Sequence, residues 1–285
     1  MSTEQVQVRH PVLDEQLVDL PRYFMGDDGF DDVVPSHLLA AMSAIFPPGE
    51  EYFVRAVRRV RDRVTDPELL RACDAFIDQE DEHGAQHRLL NQALAAHGYP
   101  IQRIERFVDW FAKLADRHLS DEANLAITAA LEHHTAVVAE TLLDIPEARD
   151  RFAHDGVMYL YCWHALEESE HKAVAFDVYR HIGGSEKLRI RAMHAMNLCF
   201  GFNIAFWTLV STLNDPHARR HPIRTLRSFK HLLESPFISR RLLSRLGDYL
   251  QKGFHPDDED TTAMILRWRS ELFGENGAVE DRLAS

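Results

Sequence analysis

Cysteine is scarce in this chain. Among 285 residues only Cys73, Cys162 and Cys199 are cysteines. They are far apart, form no CxxC pair and are odd in number, which excludes a disulfide framework or a cysteine-rich zinc site. Turn formers are few as well. Glycine and proline number 13 and 12, together about 9% against roughly 12% in ordinary usage, so long helices are favoured over many short strands. Positive charge is short too. Lys and Arg total 32 against 45 Asp and Glu, a formal charge of −13. A balance that acidic argues against nucleic-acid binding, which needs a basic footprint. The opening residues MSTEQVQVRH contain no apolar run, so the expectation is no secretory signal and a cytoplasmic protein with reduced thiols. No stretch alternates apolar and polar residues as a half-buried strand does.

Apolar residues at 45% and charged residues at 27% are globular values. The length is enough to bury a substantial core. Seventeen histidines are a surplus that composition does not explain. Apolar residues recur at helical spacing through most of the chain. Helices are expected at 36–46, 48–64, 67–97, 101–117, 120–143, 157–181, 186–213 and 260–273, with one or two basic amphipathic helices in 222–252. Pro47-Pro48 is expected to separate the first two, and Asp66-Pro67 and Ser120-Asp121 to cap the third and fifth. The organisation expected is an irregular segment over 1–35, a metal-binding bundle over 36–185 and a helical extension over 186–285.

Two of these helices carry the same motif. Glu80 and His83 stand at i, i+3, one turn apart on one face, and so do Glu168 and His171. One ExxH is a weak signal. Here each is preceded by another helix with a glutamate, Glu50 before the first and Glu132 before the second. A helix with Glu, a turn, and a helix with ExxH therefore occur twice. That is the ligand pattern of a ferritin-like four-helix bundle with a dinuclear carboxylate site. Four carboxylates neutralise two divalent cations, two imidazoles complete the shell, and mixed oxygen and nitrogen ligation suits iron or manganese. Glu51 is the alternative to Glu50, because the adjacent prolines put this glutamate near an expected helix start. Glu167 is a candidate partner for a ligand imidazole, with Gln79 in the matching place of the first motif. His87 and His164 fall on or near the ligand faces as a further ligand, a proton carrier or a pocket wall.

The segments Ile45-Phe46-Pro47-Pro48-Gly49-Glu50, Gln79-Glu80-Asp81-Glu82-His83-Gly84, Ala130-Leu131-Glu132-His133 and the run from Trp163 to Asp177 resemble the bacterial predicted metal-dependent hydrolase family. The resemblance covers roughly residues 10–275 and implies a metal more firmly than it implies hydrolysis. By ligand spacing the chain is also similar to di-iron oxygenases and oxidases.

The leading expectation is an all-α, ferritin-like dimetal enzyme holding two iron ions, with manganese or zinc as alternatives. It would activate dioxygen or peroxide, with an electron donor, and oxidise a small apolar molecule. Glu50, Glu80, His83, Glu132, Glu168 and His171 would be ligands, Glu167 would orient an imidazole, and His87 or His164 would move protons. The alternative is hydrolysis by a metal-bound water, with Glu82 or Glu170 as base. The further alternative is a non-enzymatic iron-binding or interaction protein. Residues 193–213 carry no formal charge and are long enough to span a bilayer. Burial against the bundle is the default for them. A homodimer contact or a peripheral membrane contact is the sharper reading.

Overall fold

Proline stands at the start of five of the twelve α-helices in the computed structural model, which describes residues 8–13, 17–27 and 30–281. Parts of the expected 1–35 segment, of the acidic run 26–29 and of the 186–285 extension lie outside the described residues. Helix α1 spans Val33–Val60, α2 Pro67–Ala96, α3 Ile101–His118, α4 Asp121–Asp144, α5 Pro146–Arg149 and α6 Asp155–His171. After these come α7 Val174–His181, α8 Glu186–Asn214, α9 Pro216–Arg220, α10 Pro222–Leu233, α11 Arg240–Asp248 and α12 Thr262–Phe273. A two-residue ribbon, β1 Gly26–Asp27 with β2 Phe30–Asp31, is the only sheet among the described residues. The fold class is all-α, as the periodicity predicts.

Pro67 opens α2 at a position whose N–H would be unpaired anyway, and the Asp66 carboxylate accepts from Glu68 N and Leu69 N. Gly98, with φ +89, ends α2 in the left-handed region, where a Cβ would be strained. Ser120 caps α4 by accepting from Ala123 N.

Two expectations are corrected. Pro47 and Pro48 do not break the first helix, because α1 runs through both. Pro47 cannot donate to the carbonyl of Ser43, four residues back. That carbonyl accepts instead from Asn91 Nδ2 on α2, at 3.1 Å. One of the two acceptors that the prolines leave without a helical donor is therefore satisfied from outside. The expected helix over 157–181 is two helices, α6 and α7, parted by a turn at Lys172-Ala173. There the Lys172 ammonium is drawn to Glu140 and to the backbone oxygen of Glu259.

Helix α1 packs along α2 and also meets α4; α6 packs on α4 and α2. Two apolar clusters fill this interior. On α1, residues 40–44 belong to one cluster and residues 52–60 to the other. The same division falls between Ile77 and Leu90 on α2, between Ala130 and Ala139 on α4, and between Leu166 and Val174 across the α6–α7 join. Glu50, Glu80, His83, Glu132, Glu168 and His171 all lie in those gaps. The core is thus two apolar slabs with a polar layer between them. Trp207 of α8 and Trp268 of α12 belong to the first slab, Met193 of α8 to the second.

Candidate metal centre

Four helices bring the polar layer together. Glu50 comes from α1, Glu80 and His83 from α2, Glu132 from α4, and Glu168 and His171 from α6. All six side chains are buried, none more than 3% exposed. Glu50 faces inward because it lies on the buried stripe of α1 with Pro47, Phe53, Val54 and Val57, whereas Glu51 is exposed and pairs with Arg88 at 3.2 Å. Gly84 keeps the space for it: a Cβ there would stand 3.2 Å from Glu50 Oε2. His171 Nε2 lies 3.1 Å from Glu80 Oε1 and 3.3 Å from Glu132 Oε2. His83 Nδ1 lies 3.7 Å from Glu168 Oε1. Ligand atoms of Glu80, Glu132 and His171 fall within 4.8 Å of one another, as do those of Glu80, His83 and Glu168, and those of Glu50, His83 and His164.

Donor bookkeeping shows what the layer lacks. Both oxygens of Glu50, Glu80 and Glu132, with Glu168 Oε2, His83 Nδ1 and His171 Nε2, have no hydrogen-bond partner although buried. Buried polar atoms are normally paired, and unpaired charge there costs several kcal/mol. Nine such atoms converge on one place. Without cations the carboxylates must hold protons. Burial, reinforced by Glu80 and Glu168, pushes the Glu50 carboxyl well above its ordinary range. Burial and then Glu132 do the same to Glu80. Burial and Glu168 push Glu132 up to about 7. Glu168 goes the other way: burial raises it, but the adjacent His164 and His171, the latter itself held above the ordinary imidazole range by the surrounding glutamates, keep it low. Seven carboxylate oxygens and two imidazole nitrogens, unpaired and facing inward, fit divalent cations of the oxygen- and nitrogen-preferring kind.

The imidazoles of the two motifs are oriented crosswise. Glu167, beside Glu168, accepts from His83 Nε2–H of the other motif at 3.2 Å. Gln79, beside Glu80, accepts from His171 Nδ1–H through its amide oxygen at 3.0 Å. Each motif thus orients the imidazole of the other, turning His83 Nδ1 and His171 Nε2 toward the centre. Behind Glu167 stands Arg9, 3% exposed, which donates to Glu167 at 3.3 Å and to both oxygens of Glu170 at 2.9 and 3.0 Å. Burial pushes the Glu167 carboxyl up to about 8 against the pull of Arg9. Nothing in the sequence pointed to Arg9, which lies in a segment without periodicity.

His87 and His164 form a chain beside the centre. Asn91 Nδ2 donates to Ser43 O and to Glu105, so Asn91 Oδ1 takes the Ser43 hydroxyl proton at 2.8 Å. Ser43 Oγ then accepts from His87 Nδ1–H at 2.9 Å, and His87 Nε2 from His164 Nδ1–H at 2.7 Å. Burial, with His164 adjacent, holds His87 well below the ordinary imidazole range and hence neutral. His164 Nε2 is left with a bare lone pair 2.9 Å from Glu168 Oε1 and 3.7 Å from Glu50 Oε1. Lone pairs that close need a cation or a proton between them.

Other titratable candidates are engaged elsewhere. Glu170 is held by Arg9 and Arg269, and Glu82 by His10 and Gln86, so neither of the expected bases is directed at the centre by a free carboxylate. His133 bonds to Arg245 O, and His134 to Ala130 O and Asn197; both are satisfied core histidines. His255 caps a turn, as its sequence context suggests.

A cavity of about 1030 Å³ adjoins the layer. His164 and Glu168 form its inner end, with Phe46, Met42 and Leu142 on its walls. Its outer part is lined by α8, α10 and α11.

Neither a curated protein nor a solved structure matches the chain. A protein-family model described as predicted metal-dependent hydrolase matches residues 7–260. That match spans most of the chain, and the protein belongs to the predicted metal-dependent hydrolase family, a description that names a metal and a reaction class but no substrate.

Proposed function

We propose that the protein is a metal-dependent enzyme whose centre holds two divalent ions beside an apolar substrate pocket. The observation that carries this is the convergence of nine unpaired, buried ligand atoms from four helices. Glu50, Glu80, His83, Glu132, Glu168 and His171 would hold the ions, in a layer resembling a ferritin-like bundle. His164 joins them as a nitrogen ligand: its proton is committed to His87, so its inward nitrogen is bare. That role suits it better than proton carriage. Glu167, seated by Arg9, and Gln79 orient the two motif imidazoles. Bound divalent ions would supply Lewis acidity and, as iron or manganese, a redox couple.

Of the two chemistries, hydrolysis is the one the family description supports. The comparisons lend nothing to the oxidative reading. That second reading rests on the cavity, whose walls around His164 and Glu168 are largely apolar, and on the engagement of Glu82 and Glu170 in other pairs. The residues act alike in both. The apolar walls exclude water and hold the substrate, and the carboxylates absorb changes of charge at the centre.

The test begins with metal-free protein loaded anaerobically with ferrous ions, and separately with zinc or manganese. About two ions per chain are expected, with loss of most of them in Glu80→Ala and His171→Ala. Unchanged metal content in those variants would overturn the site. Ester or phosphate turnover with zinc or manganese, without oxygen, supports hydrolysis. Oxygen uptake with an added electron donor by the iron-loaded protein supports oxidation.

A further inference from the structure

We propose that the face formed by α8, α10 and α11 docks on an anionic lipid bilayer, and that the cavity behind it admits the acyl chain of a membrane lipid. The second half rests on the enzyme reading above; the first does not.

Exposed large apolar side chains are normally scattered singly. Here eleven of the seventeen among the described residues lie between 198 and 243. On α8 they recur as Leu198, Phe202, Phe206, Leu209 and Leu213, spaced three or four apart on one face. Phe202 is 70% exposed and Leu198 76%. The opposite face of α8 is buried through Met193, Trp207, Ser211 and Thr212, packed on α1 and α4. By length and composition α8 is apolar enough to cross a membrane. Crossing would strip that packed face from the core, so the geometry is that of a helix lying on a surface rather than spanning it.

Helix α10 adds the second element. Ile223 and Leu226, 80% and 70% exposed, share a face with Phe229 and Leu233. Arg224, Arg227 and Lys230 each follow one of these residues, placed so that their stems can lie along the apolar face with the charge at its border. From 216 to 252 the chain has nine Lys and Arg against two Asp and Glu, within a protein of net charge −13; Lys230 pairs with Glu234, Arg241 with Asp144, and Arg245 with Glu140 and Glu259, which leaves six outside these pairs. A basic, apolar face on an acidic protein is complementary to anionic lipid. It is ill suited to a second copy of the chain, because a twofold contact would set the same cations against each other.

The face is continuous with the cavity. Leu209, Leu213, Leu226, Phe229, Leu233 and Leu243 are exposed and also line the cavity whose inner end is His164 and Glu168. Its volume of about 1030 Å³ exceeds the usual range for drug-sized ligands, roughly 300–1000 Å³. An apolar passage that opens on a lipid-facing surface suits a long hydrocarbon chain that is insoluble in water.

The test is flotation of the full chain with phosphatidylcholine vesicles, with and without phosphatidylglycerol. Binding is expected with phosphatidylglycerol, weakening at high salt. Phe202→Ser and Leu226→Ser, both at exposed positions, should each lower partition about tenfold or more with helicity and metal content unchanged. Absence of binding, or equal binding by the variants, overturns the docking. So does a dimer in sedimentation that Phe202→Ser dissociates while vesicles go unbound. The pocket is read with a fluorescent polyene fatty acid in metal-free and metal-loaded protein. Displacement should strengthen with competitor chain length, and Val138→Trp, at a half-buried cavity wall, should weaken probe binding without altering flotation. Displacement independent of chain length overturns the acyl-chain half and leaves docking and metal site standing.

Discussion

Replacing Glu167 by glutamine tests whether the outer layer tunes the centre. Glu167 serves two donors at once, His83 Nε2–H at 3.2 Å and Arg9 at 3.3 Å. A glutamine has one oxygen for both. If it turns the oxygen to His83, the imidazole keeps its tautomer but loses the charge behind it, and the amide N–H faces the Arg9 guanidinium. If it turns the other way, His83 meets a donor and its bare nitrogen no longer points inward. Loss of such a partner typically lowers metal affinity 10–100-fold. At about 1.36 kcal/mol per decade that is ~1.4–2.7 kcal/mol. Arg9 keeps its bidentate bond to Glu170, so the fold should survive. The assay is competition with a chromophoric chelator for zinc or manganese, stepwise, beside the same titration of Gln79→Leu. Glu167→Gln should weaken the ion nearer His83 more than the other, and Gln79→Leu should act on the other. Affinities within twofold of the unmodified protein for both ions would refute the reasoning.

Glu50→Ala should cost metal content, whereas Glu51→Ala should leave it intact and change stability by about 0–1 kcal/mol, the usual worth of an exposed pair such as Glu51–Arg88; equal loss in both would put the wrong glutamate inside. Glu132 and Glu167, at about 7 and about 8 in the metal-free protein, hold protons that the unfolded chain releases near 4.5. Their contribution is therefore present at low pH and lost as pH rises through 7 and 8, with Glu50 and Glu80 acting in the same sense. His37, His83, His87, His133 and His134, all lowered chiefly by burial, oppose this below about 6.5, where the unfolded imidazoles take up protons, and no longer do so above it. The metal-free Tm should thus fall between pH 6.5 and 8, and a rise would contradict the assignment. Asn91→Leu strands the Ser43 carbonyl in the core and leaves the Ser43 hydroxyl with His87 alone, and at ~1–3 kcal/mol for a stranded group urea denaturation should show a loss of at least ~1 kcal/mol.

The helices and the six-residue layer were legible because both depend on spacing along one helix or on the repeat of a helix pair. Glu167 and Gln79 could be named as partners from their places beside Glu168 and Glu80. Which imidazole each serves could not be read, because that depends on how α2 and α6 face each other. Pro47 misled for a related reason. Local chemistry predicts a broken helix, whereas Asn91 on a neighbouring helix supplies the donor that Pro47 lacks. Arg9, Ser43 and Asn91 belong to no motif, since ordinary residues gain their roles from three-dimensional position alone. The cavity was foreshadowed only as an uncharged stretch at 193–213.

Arg9 has a consequence for how the centre is assembled. Its segment is held by Val12 N bonded to Glu280 O and by His10 N bonded to the Asp281 carboxylate, 271 residues away in sequence. Glu170, which shares Arg9 with Glu167, is also held by Arg269. The four helices that carry the polar layer are all synthesised before residue 172, but the bonds that hold the segment of Arg9 do not exist until residues near 280 have been made. During synthesis, then, the inner cluster can gather while its outer brace is missing. The surroundings of His83 reach their final form only when the segment near residue 10 meets the segment near residue 280.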